Sequence, residues 1–268
     1  MKHIAASILF LLTTVVSPAG ERPPPADPLP GVLRSRGQIF LMENHSTAYL
    51  VWHSLKIRGA TLVHLDAHDD CRYVPPEKLQ KLQELLSRNE YESIFRQSDL
   101  GAYDRFETKP KLALYDLGNF IYPCIMDGTV SNFWWIVPNP TLDGATKQFL
   151  QMHLREALRL PADMKVFDDG PGRFSFALSN AVVTVSTLNA LPTLPPGALL
   201  DIDTDFFVFS KALADTHLRD PLIWSPAAVL SNLAQRLPKP AAVTISSSVG
   251  GGFLPLACRF IPDACFEF

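Results

Sequence analysis

Two groups of acidic residues carry a spacing that suits a metal site. Each group follows a short apolar run, residues 61–65 for the first and 198–200 for the second. The members are Asp66, His68 and Asp70 in the first group and Asp201, Asp203 and Asp205 in the second. In extended backbone, alternate side chains point to the same side, so the members of each group can converge on one ion. A lone Asp-x-Asp is usually a turn or a helix cap, whereas two such groups at two strand ends favour a metal site.

A third piece, Glu43-Asn44-His45, ends an earlier apolar run and adds an imidazole. So many carboxylates in one place repel one another unless a cation neutralises them. A mixture of carboxylates and imidazoles suits Mn, Fe or Zn better than Ca or Mg. Five or six such ligands are enough for two divalent ions, and a metal pair lowers the pKa of a water between them to near neutrality. The pattern therefore predicts hydrolysis by a metal-activated water.

The motifs resemble those of the ureohydrolases, the group that contains arginase, agmatinase and formiminoglutamase. Residues 66–70 match their Asp-Ala-His-x-Asp motif, residues 202–206 resemble their second Asp-x-Asp motif, and His45 stands for the histidine of their Gly-Gly-Asp-His motif. A wider set of segments is similar to the UPF0489 family, which is thought to be related to arginases. These segments are residues 43–45, 64–68, 119–123, 134–138 and 200–207 and the serine-rich strand end near Ser246, and they cover most of residues 38–257.

The resemblance implies a fold and a set of ligands. The fold is that of the arginases and deacetylases, a three-layer α/β/α sandwich around a mainly parallel sheet. The implied metal ligands are His45, Asp66, His68, Asp70, Asp203 and Asp205. Asp201 takes the place of a small residue in the motif, which makes it an acid behind the ligands, although the register with Asp201 and Asp203 as ligands stays open. Asp201 and Asp205 are the candidate catalytic acids that orient the water or carry a proton, and His217 is a further candidate proton shuttle.

Arg72 is the candidate substrate-binding residue. It stands with Cys71 where arginase has the asparagine that holds its amino-acid substrate. A guanidinium near the metals can hold a carboxylate or a phosphate of the substrate. The alternative is a salt bridge between Arg72 and one of the acidic residues beside it.

Three functions fit these residues. The first is a hydrolase of non-peptide C–N bonds, in an amidine or an amide, that takes a small-molecule substrate and holds one or two divalent ions, Mn by preference. The second is a Zn-dependent amide deacetylase with one ion on three ligands and an open position. The third is a non-catalytic metal-binding or interaction protein on the same fold. Metal identity and stoichiometry distinguish the first two.

Alternating strands and helices are expected to position the acidic groups. Strands are predicted at residues 38–42, 61–65, 132–137, 181–188, 198–200 and 241–246, and helices at 45–58, 75–88, 146–158 and 225–237. Continuous apolar strands that alternate with helices favour a parallel sheet covered on both faces. Ligands of such sheets bind beyond the carboxyl ends of the strands, where both acidic groups lie.

The N-terminal region differs in character from the rest of the chain. Residues 4–16 are almost wholly apolar and are followed by Ser17-Pro18-Ala19, a pattern typical of a secretory signal peptide. The apolar stretch is shorter than the roughly 20 residues that span a bilayer. The predicted organisation is a signal peptide at 1–19, a proline-rich linker at 20–37 and an arginase-like α/β domain at 38–268, in a secreted or secretory-pathway protein. A net charge of −3 gives no reason to expect nucleic acid as a partner.

The cysteines and three other histidines are expected to have structural roles. Export permits disulfides, and among the three full pairings of four cysteines the pair Cys258–Cys265 is the simplest. His64 is expected to point away from the ligands as a core histidine. His53 is expected to be structural, and His153 to lie on a helix surface.

Overall fold

Nine strands form one sheet in the part of the chain that the computed structural model describes, which is residues 29–98, 113–208, 224–249 and 254–268. The strands are β1 (Val32–Arg36), β2 (Ile39–Met42), β3 (Ala60–Leu65), β4 (Val130–Val137), β5 (Val166–Phe167), β6 (Arg173–Leu178), β7 (Ala181–Thr187), β8 (Leu199–Asp203) and β9 (Ala242–Ser246). Their order across the sheet is β1-β2-β9-β8-β3-β4-β7-β6-β5. The six strands from β2 to β7 in this order are parallel, and antiparallel pairings attach β1, β6 and β5 at the two edges. The prediction of a mainly parallel sheet is confirmed.

Helices cover both faces of this sheet. Those in the described ranges are α1 (Ala48–Ser54), α2 (Pro76–Ser87), α3 (Tyr91–Gln97), α4 (Ile121–Met126), α5 (Gly144–Ala157), α6 (Pro226–Arg236) and α7 (Ile261–Glu267). Successive strand residues point to opposite faces, and two apolar clusters follow this alternation. Phe40 and Leu62 pack in the cluster that contains buried residues of α1 to α5, whereas Leu41 and Val63 pack in the cluster that contains those of α6 and α7. The molecule is therefore the predicted three-layer α/β/α sandwich.

The sheet begins earlier in the chain than the sequence indicates. β1 lies inside the segment 20–37 that is assigned to a linker, and it pairs antiparallel with β2. Four of its five residues are exposed, so it lacks the apolar pattern by which strands are recognised in a sequence. The predicted signal peptide at 1–19 and His217 lie outside the described residues. Over the described ranges, no helix combines the length and apolar character needed to span a membrane.

The cysteines pack as small apolar side chains. All four are buried thiols, and no disulfide joins them, so the pairing of Cys258 with Cys265 is wrong. Both lie in the apolar cluster that contains α6 and α7, Cys265 on α7 itself and Cys258 in the short turn before it. A cysteine in such surroundings behaves as a small hydrophobe.

Candidate metal centre

The strand register brings the two acidic groups together. His64 near the end of β3 is paired with Asp201 on β8, and Asp201 is paired with Thr244 on β9. Two residues further along, Asp203 is paired with Ser246. Because these strands are parallel, their carboxyl ends meet at one edge of the sheet, and the residues that follow them share that edge.

The loop after β3 holds the first acidic group in a tight turn. The indole N–H of Trp135 donates to the backbone carbonyl of Asp66 at 3.1 Å, and the carboxylate of Asp66 accepts from the backbone N–H of His68 at 2.6 Å. Asp70 adopts a left-handed conformation with φ +47°, which aspartate tolerates better than most residues. The carboxylate of Asp70 then lies in one group with His45 and Asp66.

Asp69 points away from this group, as the alternation predicts. Its carboxylate accepts from the backbone N–H of Cys71 at 2.9 Å and lies 2.7 Å from Nε2 of His153 on α5. His153 lies on α5 with 39 % of its side chain exposed, as expected of a histidine on a helix surface, and its contact with Asp69 also joins the loop to α5. Contact with Asp69 raises the pKa of His153 against the lowering effect of burial.

The second acidic group caps the end of β8. Asp203 accepts through Oδ1 from the backbone N–H of Asp205 at 3.2 Å, at the start of the short 3-10 helix Thr204–Phe207. Asp205 accepts from the backbone N–H of Ala67 at 3.3 Å. The loops after β3 and β8 are thus joined directly, which fixes the two groups relative to each other.

Four side chains form a buried inner group, which consists of His45, His64, Asp66 and Asp70. Nε2 of His45 lies 3.2 Å from Oδ2 of Asp70, and Nε2 of His64 lies 3.2 Å from Oδ2 of Asp66 and 3.5 Å from Oδ2 of Asp70. Asp203 lies at the margin of the inner group, with its Oδ2 3.0 Å from Nδ1 of His45. All five side chains are almost completely inaccessible to solvent.

An outer group shares Asp66 with the inner one and adds His68 and Asp205. Nδ1 of His68 lies 3.3 Å from Oδ1 of Asp66 and 3.1 Å from Oδ2 of Asp205. The side chain of His68 is 44 % exposed, whereas that of Asp205 is 4 % exposed. The outer group therefore faces solvent through His68.

The inner group has the polar atoms that a cation would satisfy. Nδ1 of His45, Nε2 of His64 and one carboxylate oxygen each of Asp66 and Asp70 are buried and lack a hydrogen bond, although they stand at contact distance. Leaving such an atom unsatisfied costs about 1–3 kcal/mol. Ligands about 2.0–2.2 Å from a tetrahedrally bound ion stand about 3.3–3.6 Å apart, and the contacts within the inner group measure 3.2 to 3.5 Å. The inner group thus fits a divalent cation.

The charge balance also calls for a cation. Five buried aspartates meet at this edge, namely Asp66, Asp70, Asp201, Asp203 and Asp205. Over the described ranges, their ion-pair partners are histidines alone, and no lysine or arginine pairs with them. Buried carboxylates without a compensating charge are strongly disfavoured.

Protons take the place of a cation on the histidines when the site is empty of metal. Burial by itself lowers the pKa of His68, but the carboxylates of Asp205 and Asp66 outweigh it and raise that pKa to about 11. The pKa of His45 is raised well above its ordinary value for the same reason, with Asp70 as the strongest of the charges that overcome burial. A metal ion must displace these protons in order to bind.

The aspartates divide according to their neighbours. Burial raises the pKa of Asp70 to about 7, against the opposing charge of His45. Burial and the charges of Asp203 and Asp66 raise the pKa of Asp205 well above its ordinary value. Asp66 is the exception, because the histidines around it overcome the effect of burial and hold its pKa well below the usual range. Asp66 thus remains ionised.

The structure brings all six predicted ligands to one place and adds a residue that the sequence analysis assigned elsewhere. The expectation that His64 points away is wrong, because His64 and Asp66 are two residues apart and so share one face of the strand. Asp201 lies behind His64, with Oδ2 2.8 Å from its Nδ1, and accepts through Oδ1 from the hydroxyl of Thr244. Asp201 is fully buried, and its contact with His64 places it behind the candidate ligands, which is the position that the resemblance implies for it.

Arg72 lies to one side of this cluster. Its side chain is exposed, and its guanidinium lies beside Gly118, where an added Cβ would stand 3.6 Å from Cζ of Arg72. Among the described residues, no ion pair joins Arg72 to a carboxylate of the cluster. Burial raises the pKa of Asp116, and the backbone N–H of Gly118 and then the charge of Arg72 oppose that rise without overcoming it.

No protein-family model and no curated protein matches this chain. The chemistry of the site is therefore the basis for its function, since a fold alone does not specify a reaction.

Proposed function

We propose that this protein is a metal-dependent hydrolase of non-peptide C–N bonds, in an amidine or an amide of a small molecule, which acts through a metal-activated water. The observation that carries the proposal is the set of four buried polar atoms without hydrogen bonds at the carboxyl edge of the parallel sheet. The ion or ions, Mn by preference, would be held by His45, Asp66, His68, Asp70, Asp203 and Asp205.

The position of Asp66 supports two ions rather than one. Its Oδ2 faces His45 and His64 in the inner group, at 3.3 and 3.2 Å, and its Oδ1 faces His68 in the outer group, at 3.3 Å. Asp66 is the residue that the two groups share, so it would contribute to holding an ion in each of them. The low pKa of Asp66 keeps it charged for that purpose.

The outer and inner groups have different roles in the proposed reaction. A divalent ion at this edge supplies Lewis acidity and lowers the pKa of a water. Substrate approaches from the outer group, because His68 is its exposed member. Asp205 lies beside His68 in that group, so it is placed to orient a water and to accept its proton. On the inner side, the ring of Phe120 stands 5.1 Å from that of His45 and excludes solvent.

We also propose that the chain is related to the UPF0489 family and, through it, to the arginases. The two motifs on which that resemblance rests follow β3 and β8, which are adjacent parallel strands. The His-Leu-Asp-Ala-His segment and the Asp-Ile-Asp-Thr-Asp segment thus face each other across one sheet edge. This arrangement supports the relationship beyond the similarity of short motifs.

Metal content and hydrolysis, measured on the same preparations, test the function. The protein is stripped with a chelator, reloaded with Mn²⁺ or Zn²⁺, and assayed by elemental analysis and by release of amine or ammonia from panels of guanidino, amidine and amide compounds. Asp66→Asn and Asp203→Asn should each lose metal and activity together. Asp168→Asn is the matched control, because Asp168 is exposed and pairs with Lys147 far from the site.

The outcomes separate the candidate functions. About two Mn²⁺ per chain with measurable hydrolysis supports the proposal. One Zn²⁺ per chain with release of acetate from acetylated amines indicates the deacetylase instead. Metal that is bound in stoichiometric amount without hydrolysis of any panel compound indicates a non-catalytic metal protein. Absence of binding after reloading with either ion refutes the metal site and the function with it.

A further inference from the structure

One imidazole in the inner group lies outside the predicted ligand set. His64 is fully buried, and its Nε2 has no hydrogen bond although it is directed between the carboxylates of Asp66 and Asp70. The ring is packed on its flanks by Phe120 and Phe133, with ring centroids 6.0 and 6.1 Å away. Nε2 of His64 thus faces the same two carboxylates as the ring of His45 does.

The opposite nitrogen of His64 is held by a chain of side chains across three strands. Nδ1 lies 2.8 Å from Oδ2 of Asp201, and Oδ1 of Asp201 accepts from the hydroxyl of Thr244. A carboxylate can only accept, so Nδ1 of His64 carries a proton and Nε2 is the nitrogen left to face the inner group, where a metal ion would displace any proton that it carries. Histidines that bind metals are usually fixed by a carboxylate in this way.

We propose that His64 is a further metal ligand, through Nε2, and that Asp201 is its positioning residue. This inference rests on the proposed metal site but not on the proposed reaction. With His45 and His64, the inner group offers two imidazoles, whereas the outer group offers one. Compared with carboxylate, imidazole favours Zn²⁺ and Co²⁺ over Mn²⁺. The inner group should therefore bind Zn²⁺ or Co²⁺ in preference to Mn²⁺. Mn²⁺ should occupy the outer position more readily.

Nitrogen-15 NMR of the histidine-labelled whole chain tests the ligand directly. Spectra are recorded on the stripped protein and after addition of Zn²⁺, which is diamagnetic. We expect the His64 signals to show a protonated Nδ1 and a metal-shifted Nε2. The signals are assigned by their loss in His64→Gln and, independently of any variant, by nuclear Overhauser contacts to the rings of Phe120 and Phe133.

Competition between ions tests the selectivity. Zn²⁺ and Mn²⁺ affinities are measured by titration for the wild type, His64→Gln, Asp201→Asn and Asp201→Leu, with His53→Gln as the control histidine, which contacts Tyr91 outside the cluster. Loss of the carboxylate partner should weaken Zn²⁺ by about 10- to 100-fold and Mn²⁺ by less. Asp201→Asn, which can still accept from Nδ1, should restore part of the Zn²⁺ preference that Asp201→Leu loses.

Different results would show that His64 is not a ligand and that the proposed reaction is wrong. If Zn²⁺ binds while Nε2 of His64 keeps its metal-free shift, or if His64→Gln lowers both affinities equally, His64 is not a ligand and the hydrolase proposal stands. If Nε2 shifts and no substrate is hydrolysed, the ligand assignment holds and the reaction does not. If the wild-type chain binds neither ion, both are overturned.

Discussion

Replacement of Asp70 by asparagine should stabilise the metal-free protein at alkaline pH. Asp70 is 2 % exposed, and burial raises the pKa of its carboxyl to about 7, with the charge of Asp66 adding to the effect and that of His45 opposing it. Asparagine keeps nearly the same shape and carries no charge. The variant therefore removes an electrostatic cost that the wild type tolerates because a metal ion is expected to relieve it.

The size of the gain follows from the shift in the pKa of Asp70. The displacement from 3.8 to about 7, at about 1.4 kcal/mol per unit, corresponds to on the order of 4 kcal/mol. His45 and His64 lose a charged neighbour in the variant, so we expect a net gain of about 1–3 kcal/mol. The pKa of Asp70 is higher in the folded than in the unfolded protein, so the folded wild type binds the carboxyl proton more tightly. The free energy of unfolding of the wild type therefore falls as the pH rises from about 4 to about 7. The advantage of the variant should be absent near pH 4 and complete at pH 8.

Urea unfolding followed by circular dichroism, in the presence of a chelator, measures this effect at the two pH values. Asp168→Asn is the control and should gain nothing, because the exposed carboxylate of Asp168 is already stabilised by Lys147. The order of stability should reverse in saturating Zn²⁺ or Mn²⁺, where only the wild type keeps the ligand. A variant that is less stable than the wild type at pH 8 without metal, or a gain that is equal at both pH values, would refute the reasoning.

Three further predictions follow from the same cluster. A metal ion at about 100 times its Kd should raise the free energy of unfolding by about 2.7 kcal/mol. For a chain of this size, that raises Tm by about 5–10 °C in scanning calorimetry. Equal Tm values with metal and with chelator would contradict the metal site. Metal binding should release protons and become tighter as the pH rises, because the pKa of His68 is raised to about 11. Calorimetric titrations in buffers of different ionisation enthalpy measure the proton release. A heat of binding that is the same in all buffers would contradict it. His153→Ala should cost about 1–3 kcal/mol, because the buried carboxylate of Asp69 loses its partner; a double-mutant cycle with Asp69→Asn isolates the pair, and a coupling energy near zero would show that the contact contributes nothing.

Local pattern was sufficient to predict the layers of the fold and most of the candidate site. Apolar runs at residues 61–65, 132–137 and 241–246 were predicted as strands and match β3, β4 and β9 closely. The prediction that Asp66 and Asp70 face away from Asp69 is confirmed, but by a turn with a left-handed Asp70 rather than by extended backbone. The strands are local features, since each depends on the order of residues along one segment and on the two-residue period of extended backbone.

Elements without such a pattern were missed. β1 is largely exposed, and α4 and α7 are six and seven residues long, too short for a helical period to be evident. The N-terminal limit of the sheet was misplaced for this reason. Burial of these segments depends on what packs over them, which the segments themselves do not encode.

Residue types and their places after apolar runs are enough to predict which side chains could hold a metal and that these follow strands. The choice of neighbouring strand ends depends on the folded chain, because His64 and Asp201 are 137 residues apart in the sequence and meet through the pairing of β3 with β8. That pairing places Asp201 against His64, while Asp203 lies beside His45 and Asp205 beside His68. The left-handed turn at Asp70 places its carboxylate in the inner group. Because a left-handed residue other than glycine costs about 1–3 kcal/mol, it persists only where the surrounding structure imposes it.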